Sequence, residues 1–453
     1  MPSKPQIIFA LPEWLPQLGG LATFYLHLAR CRSELGVKTT ILTTQKEAHD
    51  PGIAGVTVVK LADLRYAHFV RLSQWLPEGW EMAAMALASG AALRDWLVDH
   101  ERRNAVVFAA EFTGYASMLV APELPPLVVT AHGALGQIAE HSPGSLLTPD
   151  AELLRSLEAD ALLRADLATA YSPMNKAEWQ KRLQREITFI DPPFYTYSKP
   201  DTPAKKQRDL LEGIVVGRLQ DWKGALVLAE ALESLNDNER ARLQIHWYGK
   251  DTETAPDGSG SLATYLEAHF PRCWSSSFMV EGPVARESVT QKQAEADFAL
   301  TPSTWDTLNY TVLEAMQRGT PVVVSSGAGA SYLIKHDVNG LTFPVNDTGA
   351  LAETLRQLIK GRVDLTQLGT QAQADLSERF SPSACVQRYE DAAQEALAAR
   401  KSGRDHVLGS GMGALLLPLI NELMEPGNLP QRSARELLGA LRQKASQRLG
   451  IDL

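Results

Sequence analysis

Two runs of residues carry most of the chemistry that this chain's residue types could perform. The first is Gly217-Arg218-Leu219-Gln220-Asp221-Trp222-Lys223-Gly224, between a strand-like and a helix-like segment. Cations at a helix start oppose the helix dipole, so two of them there suit a bound phosphate. Arg grips such a group in a fork and Lys acts as a point charge. The competing explanation is a solvated basic loop. The second run is Thr301-Pro302-Ser303-Thr304-Trp305-Asp306-Thr307-Leu308-Asn309-Tyr310-Thr311-Val312-Leu313-Glu314. Glu314 is embedded in apolar sequence and must be hydrogen-bonded if buried. With Asp306 it would suit paired hydroxyls, as on a sugar or ribose; alternatively it only complements a helix N-terminus. Gly19-Gly20 at the first helix would let a ligand approach backbone amides, or simply make a turn. Gly327-Ala328-Gly329 reads in the same two ways. His132, beside Gly133 after an apolar strand, suits a cleft or a hydrogen-bonded loop equally. Glu13 and Glu111, each after a strand, are weaker candidates for an acceptor.

The elements that must hold these residues are legible in outline. A strand Ile7–Leu11, a helix Leu21–Leu35 ending at Gly36, and a strand Val37–Thr44 form one βαβ unit. Ala105–Ala109, Leu127–Thr130, Ala165–Tyr171 and Ile187–Ile190 continue the series as short apolar strands, the pattern of a parallel sheet covered on both faces. Residues 196–210 are polar and carry two prolines, which suits a linker. A second series follows, with strands Gly213–Val216, Leu243–Tyr248, Phe278–Glu281, Phe298–Thr301 and Pro321–Ser325. The chain therefore reads as α/β, two doubly wound domains in series, with ligands expected beyond the carboxyl ends of the strands. A long amphipathic helix is expected over Ser383–Arg400, and residues 401–453 read as a helical extension.

Composition agrees. The chain has 453 residues, enough for two or three domains. Its 45% hydrophobic and 21% charged residues exclude disordered and fibrous classes. The net charge of -9 disfavours a broad polyanion surface, and no basic-aromatic stripe suggests nucleic acid. Three scattered cysteines fit a reducing compartment. No signal-peptide pattern opens the chain, and the most apolar stretch, Met412–Ile420, is too short to span a bilayer. A cytoplasmic protein is expected, with 401–453 free to dock on a protein or, peripherally, on a membrane. The P-loop, HExxH, GxSxG, CxxC and GxGxxG patterns are absent, so no metal or redox cofactor is expected.

In combination these runs resemble the nucleotide-sugar glycosyltransferases of the GT-B fold, and more narrowly the retaining family 4. The stretches VVGRLQDWKGALVLAEAL, DFALTPSTWDTLNYTVLEAMQRGTPVVVSS and HDVNGLTFPVNDTGALAETLRQL match that family in order and spacing. The resemblance covers about residues 5 to 400. It implies two Rossmann-like domains facing each other across a cleft: 1–195 for the acceptor, completed by the crossing helix 383–400, and 211–382 for the donor. It implies a nucleoside diphosphate sugar as co-substrate, UDP-linked first and GDP-linked next, and an acceptor hydroxyl of unidentified kind, as in glycolipid or polysaccharide synthesis. Arg218 and Lys223 would hold the diphosphate and neutralise it as it leaves, making a metal unnecessary. Glu314 would bind the ribose, Asp306 the sugar hydroxyls, and the amides of Asn309, Tyr310 and Thr311 the sugar and diphosphate. Gly217 belongs to the clamp loop. Gly282, Pro283 and Val284 would lie against the base, Gly19 and Gly20 near the phosphate, and His132 near the transferred sugar.

The chain also departs from the family. Asp306 replaces a usual Glu, Asn309 a common Gly, Tyr332 a frequent Glu, and Ala328 the first Gly of a pair. The departures at Asp306 and Asn309 keep a second reading in play, a catalytically degenerate subunit that regulates a partner; another enzyme of the same fold, such as a sugar-nucleotide epimerase, is the other alternative.

Overall fold

The computed structural model describes residues 5–15, 19–100, 104–141, 148, 150–196 and 209–402. It divides into two compact units, one built from residues up to Tyr195 and from Pro382 onward, the other from Thr196–Ser381. The expected extension 401–453, beyond Ser402, and most of the expected linker lie outside the described residues.

In the first unit the strands are β1 (Gln6–Leu11), β2 (Thr39–Thr43), β3 (Val56–Lys60), β4 (Ala105–Ala110), β5 (Leu127–Ala131), β6 (Leu167–Ala170) and β7 (Thr188–Phe189). They form one parallel sheet in the order β3-β2-β1-β4-β5-β6-β7. Its helices are α1 (Gly20–Glu34), α2 (Ala62–Ser73), α3 (Glu81–Asp99), α4 (Leu135–His141), α5 (Ala151–Arg164) and α6 (Pro173–Leu183). Every residue of β4 and β5 is buried, as the unbroken apolar runs require of a sheet with both faces covered. Register places Phe9 beside Phe108, and the Phe9 ring packs on Tyr25 of α1 at 5.0 Å.

In the second unit β8 (Leu211–Val216), β9 (Leu243–Tyr248), β10 (Phe278–Gly282), β11 (Phe298–Thr301), β12 (Val322–Ser325) and β13 (Leu341–Phe343) form a parallel sheet in the order β10-β9-β8-β11-β12-β13. The helices are α7 (Ala225–Glu233), α8 (Asp237–Arg240), α9 (Leu262–His269), α10 (Arg286–Glu295), α11 (Tyr310–Gln317), α12 (Thr348–Ile359) and α13 (Leu365–Arg379). Leu228, Trp247, Phe298, Leu351 and Leu355 lie in its core.

The final helix, α14 (Pro382–Lys401), packs on the first unit. Cys385, Val386 and Tyr389 are buried there, and the Tyr389 hydroxyl donates to the Asp191 carbonyl at 3.2 Å. At its end Arg400 holds Asp166 through two 2.7 Å hydrogen bonds, while Asp166 also accepts from the Leu127 amide. Among the described residues no helix is long and apolar enough to cross a membrane.

Several elements differ from expectation. The strand expected over Val37–Thr44 is confined to Thr39–Thr43, because Gly36 turns the chain at φ +69°. The strand expected over Ala165–Tyr171 keeps only its middle, Leu167–Ala170. β3, α2, α3 and β13 were not foreseen. β3 is an edge strand with no fully buried residue, so it lacks the apolar run that marks its neighbours.

Candidate functional site

Each sheet reverses its strand order once, and ligands of doubly wound sheets bind at that reversal, beyond the carboxyl ends. In the second unit the reversal falls between β8 and β11. The loops leaving these two strands are the two runs singled out in the sequence. They are fastened together. The Thr304 amide donates to the Trp222 carbonyl at 2.9 Å. Gly224 lies so close to the second loop that a Cβ there would sit 1.9 Å from the Pro302 carbonyl oxygen, and its φ of +82° also demands glycine. Trp222 is buried, which pins the first loop from below.

On this frame the Lys223 ammonium contacts the Asp306 carboxylate directly. Asp306 also accepts from Asn309 Nδ2 at 2.6 Å, and the same amide group reaches Ser303 Oγ at 3.2 Å. Lys223, Asp306 and Asn309 thus form one chain of contacts across the two loops. Asn309 adopts φ +74° immediately before α11. Asn tolerates that region better than most residues, which is a physical reason for a Gly or Asn at this place. The Asn309 side chain makes no cap bond to α11, so the first-turn amides of Tyr310 and Thr311 are not taken up by it.

Glu314, one turn further, is paired with Arg286 Nη2 at 3.1 Å, and Arg318 donates to its carbonyl oxygen. Burial raises its carboxyl above the ordinary value, and Arg286 and Arg318 work against that. Arg286, at the start of α10, answers the burial cost and was not anticipated. Arg218 is exposed, just past Gly217, whose carbonyl accepts from Trp247 Nε1 at 2.8 Å. Gly282 ends β10 at φ +74°, and Pro283 and Val284 after it are exposed. The Gly327 and Gly329 pair packs against the loop carrying Asp306: a Cβ at 329 would lie 2.1 Å from the Thr307 carbonyl oxygen. These glycines serve close packing of two loops rather than room for a ligand.

In the first unit the reversal falls between β1 and β4. Gly19 and Gly20 open α1 there; both are exposed, with open space where a Cβ would stand and no side-chain cap. Glu13, after β1, is exposed. Glu111, after β4, is fully buried, and its oxygens accept from the His132 amide at 2.8 and 2.7 Å and from the Gly133 amide at 2.8 Å. Its carboxylate is turned onto backbone rather than toward an acceptor. The His132 ring stands edge-on to Phe24 at 4.6 Å and beside Tyr171 at 5.1 Å, and the Tyr171 hydroxyl donates to the His132 carbonyl at 2.7 Å. Burial lowers the imidazole to about 3. His132 is therefore neutral at ordinary pH, able to exchange hydrogen bonds but not to carry charge. Glu158 of α5, unmarked in the sequence, is also buried and accepts from the amides of Thr113, Leu135 and Gly136 at 2.9, 3.0 and 3.4 Å. Among the described residues no three His, Cys, Asp or Glu side chains converge as a metal site requires.

Comparison with known proteins fits this geometry. The family described as Glycosyltransferase Family 4 matches residues 18–194, and that described as Glycosyl transferases group 1 matches residues 212–361. An uncharacterised glycosyltransferase of Methanocaldococcus jannaschii is 28% identical over 172 residues, 37% of this chain and 40% of that protein. The D-inositol 3-phosphate glycosyltransferase of Geodermatophilus obscurus is 25% identical over 410 residues, 84% of this chain and 86% of its own length. Among solved structures, Anabaena HepE in complex with UDP superimposes with a TM-score of 0.57 at 18% identity, covering 86% of this chain and 99% of that one.

Proposed function

The chain is a GT-B glycosyltransferase resembling family 4, and from that premise we propose that it moves a sugar from a nucleoside diphosphate donor to an acceptor hydroxyl with retention at the anomeric carbon. The observation that carries the proposal is the Lys223–Asp306–Asn309 chain at the β8/β11 reversal, with Arg218 exposed in the loop that carries Lys223. A donor placed there meets two cations at its diphosphate, a carboxylate and an amide at its sugar, and Glu314 for the ribose.

UDP is the first choice of nucleotide, supported by the UDP complex of HepE, with GDP next. The acceptor oxygen attacks the anomeric carbon on the face the diphosphate leaves. The departing phosphate oxygen takes the acceptor proton, so no strong protein base is needed. Arg218 and Lys223 stabilise the charge that develops on the leaving group, and with them a metal is not required. We assign neutral His132 a hydrogen bond to the substrate. Glycoconjugate assembly is the setting proposed.

A thermal-shift screen against UDP-, GDP-, ADP- and TDP-sugars, with Arg218→Ala alongside, tests the donor site. Stabilisation by one nucleotide, lost in the variant, supports the assignment; no stabilisation by any of them refutes it. The anomeric configuration of the product, read by NMR coupling constants, tests retention.

A further inference from the structure

Glu111 and Glu158 are two fully buried carboxyls whose hydrogen-bond partners are backbone amides of the loops around His132. Burying such groups is costly, and burial has pushed them up to about 7 and about 8. An apolar residue in either place would leave those amides without an acceptor, which is itself costly. What the carboxyls add is geometry. Glu111, anchored at the end of β4, takes the amides of the two residues that follow β5, and Gly133 turns there at φ +129°. Glu158 reaches up from α5, takes the first amides of α4, and also holds Thr113, which sits at φ +63°. The amides of residues 132, 133, 135 and 136 are thus occupied by these two acids, and that of Ala134 by Gln137 Oε1 at 3.2 Å.

We infer that Glu111 is a positioning residue for His132, fixing the β5–α4 loop so that the neutral imidazole keeps one orientation toward the substrate, with Glu158 bracing the same loop from below. This rests on the role proposed for His132 in sugar transfer. The Glu111 oxygens accept from the His132 and Gly133 amides. Its carboxylate is spent on the loop, so it acts through His132 or not at all.

The test is a double-mutant cycle of Glu111→Gln and His132→Ala, read with donor turnover, UDP binding and amide exchange. Gln preserves shape but sets a donor NH2 against an amide N–H. In the wild-type background it should lower kcat by about tenfold, with UDP binding unchanged. In the His132→Ala background it should cost almost nothing further. Exchange over residues 130–136 should quicken by about tenfold while the β1 and β4 amides stay protected. An equal loss of turnover in both backgrounds, or unchanged exchange over 130–136, overturns the inference. Should Glu111→Gln fold poorly, Glu158→Gln, which releases the same loop from α5, gives the same readouts. If wild type turns over no UDP- or GDP-sugar, the transfer reading fails separately, and the exchange measurement still decides whether Glu111 holds the loop.

Discussion

Asp306→Asn separates the two charges that meet in the second unit. Lys223 and Asp306 touch with side chains 23% and 16% exposed, so the pair is mostly shielded from water. At about 4 Å and an effective dielectric near 20, the gross attraction is about 4 kcal/mol, of which desolvation and screening leave about 1–2 kcal/mol. A diphosphate bound at the proposed site would share Lys223 with that carboxylate and also face its negative charge. The Asn variant keeps the shape and a carbonyl for Asn309 Nδ2, but removes the charge. UDP should therefore bind about 5- to 30-fold more tightly. In a melting assay at fixed saturating UDP the extra stabilisation should appear as about 2–8 °C. The gain should shrink with added salt. Turnover of the donor sugar should fall, because a sugar hydroxyl loses its charged acceptor. Calorimetric titration with UDP decides the matter: affinity for Asp306→Asn equal to or weaker than wild type would refute the competition between carboxylate and diphosphate.

Three further outcomes are expected. Lys223→Ala should fold but melt about 2–8 °C lower without ligand, having lost its pair with Asp306, while turnover falls by about a hundredfold, and wild-type turnover would sink the clamp. Gly224→Ala places a Cβ 1.9 Å from the Pro302 oxygen at φ +82°, so it should destabilise the second unit by about 2–4 kcal/mol, read by urea unfolding. Glu158 has a folded value near 8 against an ordinary 4.5, so the native state holds a proton that the unfolded chain releases in between. Its stabilising share is complete below about pH 4.5 and is lost as pH rises through 8, on the order of 3–5 kcal/mol in all. Glu158→Gln should flatten that decline in melting curves from pH 5 to 9; parallel slopes for variant and wild type would be the contrary result.

The sequence made the strands with unbroken apolar runs visible, because a parallel sheet covered on both faces leaves no other signature. It also made visible the two loops at the β8/β11 reversal, since cations there contradict what a helix start ordinarily wants and Glu314 stands in an apolar run. Arg286 was hidden because its partner Glu314 is 28 positions away and the helix between them reads as plain surface. Glu158 was hidden for another reason. In AELLRSLEADALLR it looks like one more charge on a solvated face, and its partners are backbone amides, which have no letter in the sequence. Asn309 stands out in the sequence as a departure, but only its φ of +74° supplies a physical reason for Gly or Asn at that place.

The closing of α14 on the first unit ties that unit's completion to a stretch of chain made long after its own strands. After Tyr195 leaves the ribosome, about 190 residues of the second unit must follow before Pro382 arrives. At about 5–20 residues per second this is about 10–40 s. Throughout that interval the face of α1 that later covers Cys385 and Tyr389 stays bare, and Asp166 waits for Arg400. The second unit, contiguous in the chain, has no such debt and can mature as it emerges. A nascent chain stalled before residue 382 should therefore present a finished second unit and an unfinished first unit, the latter exposed to chaperones and proteases.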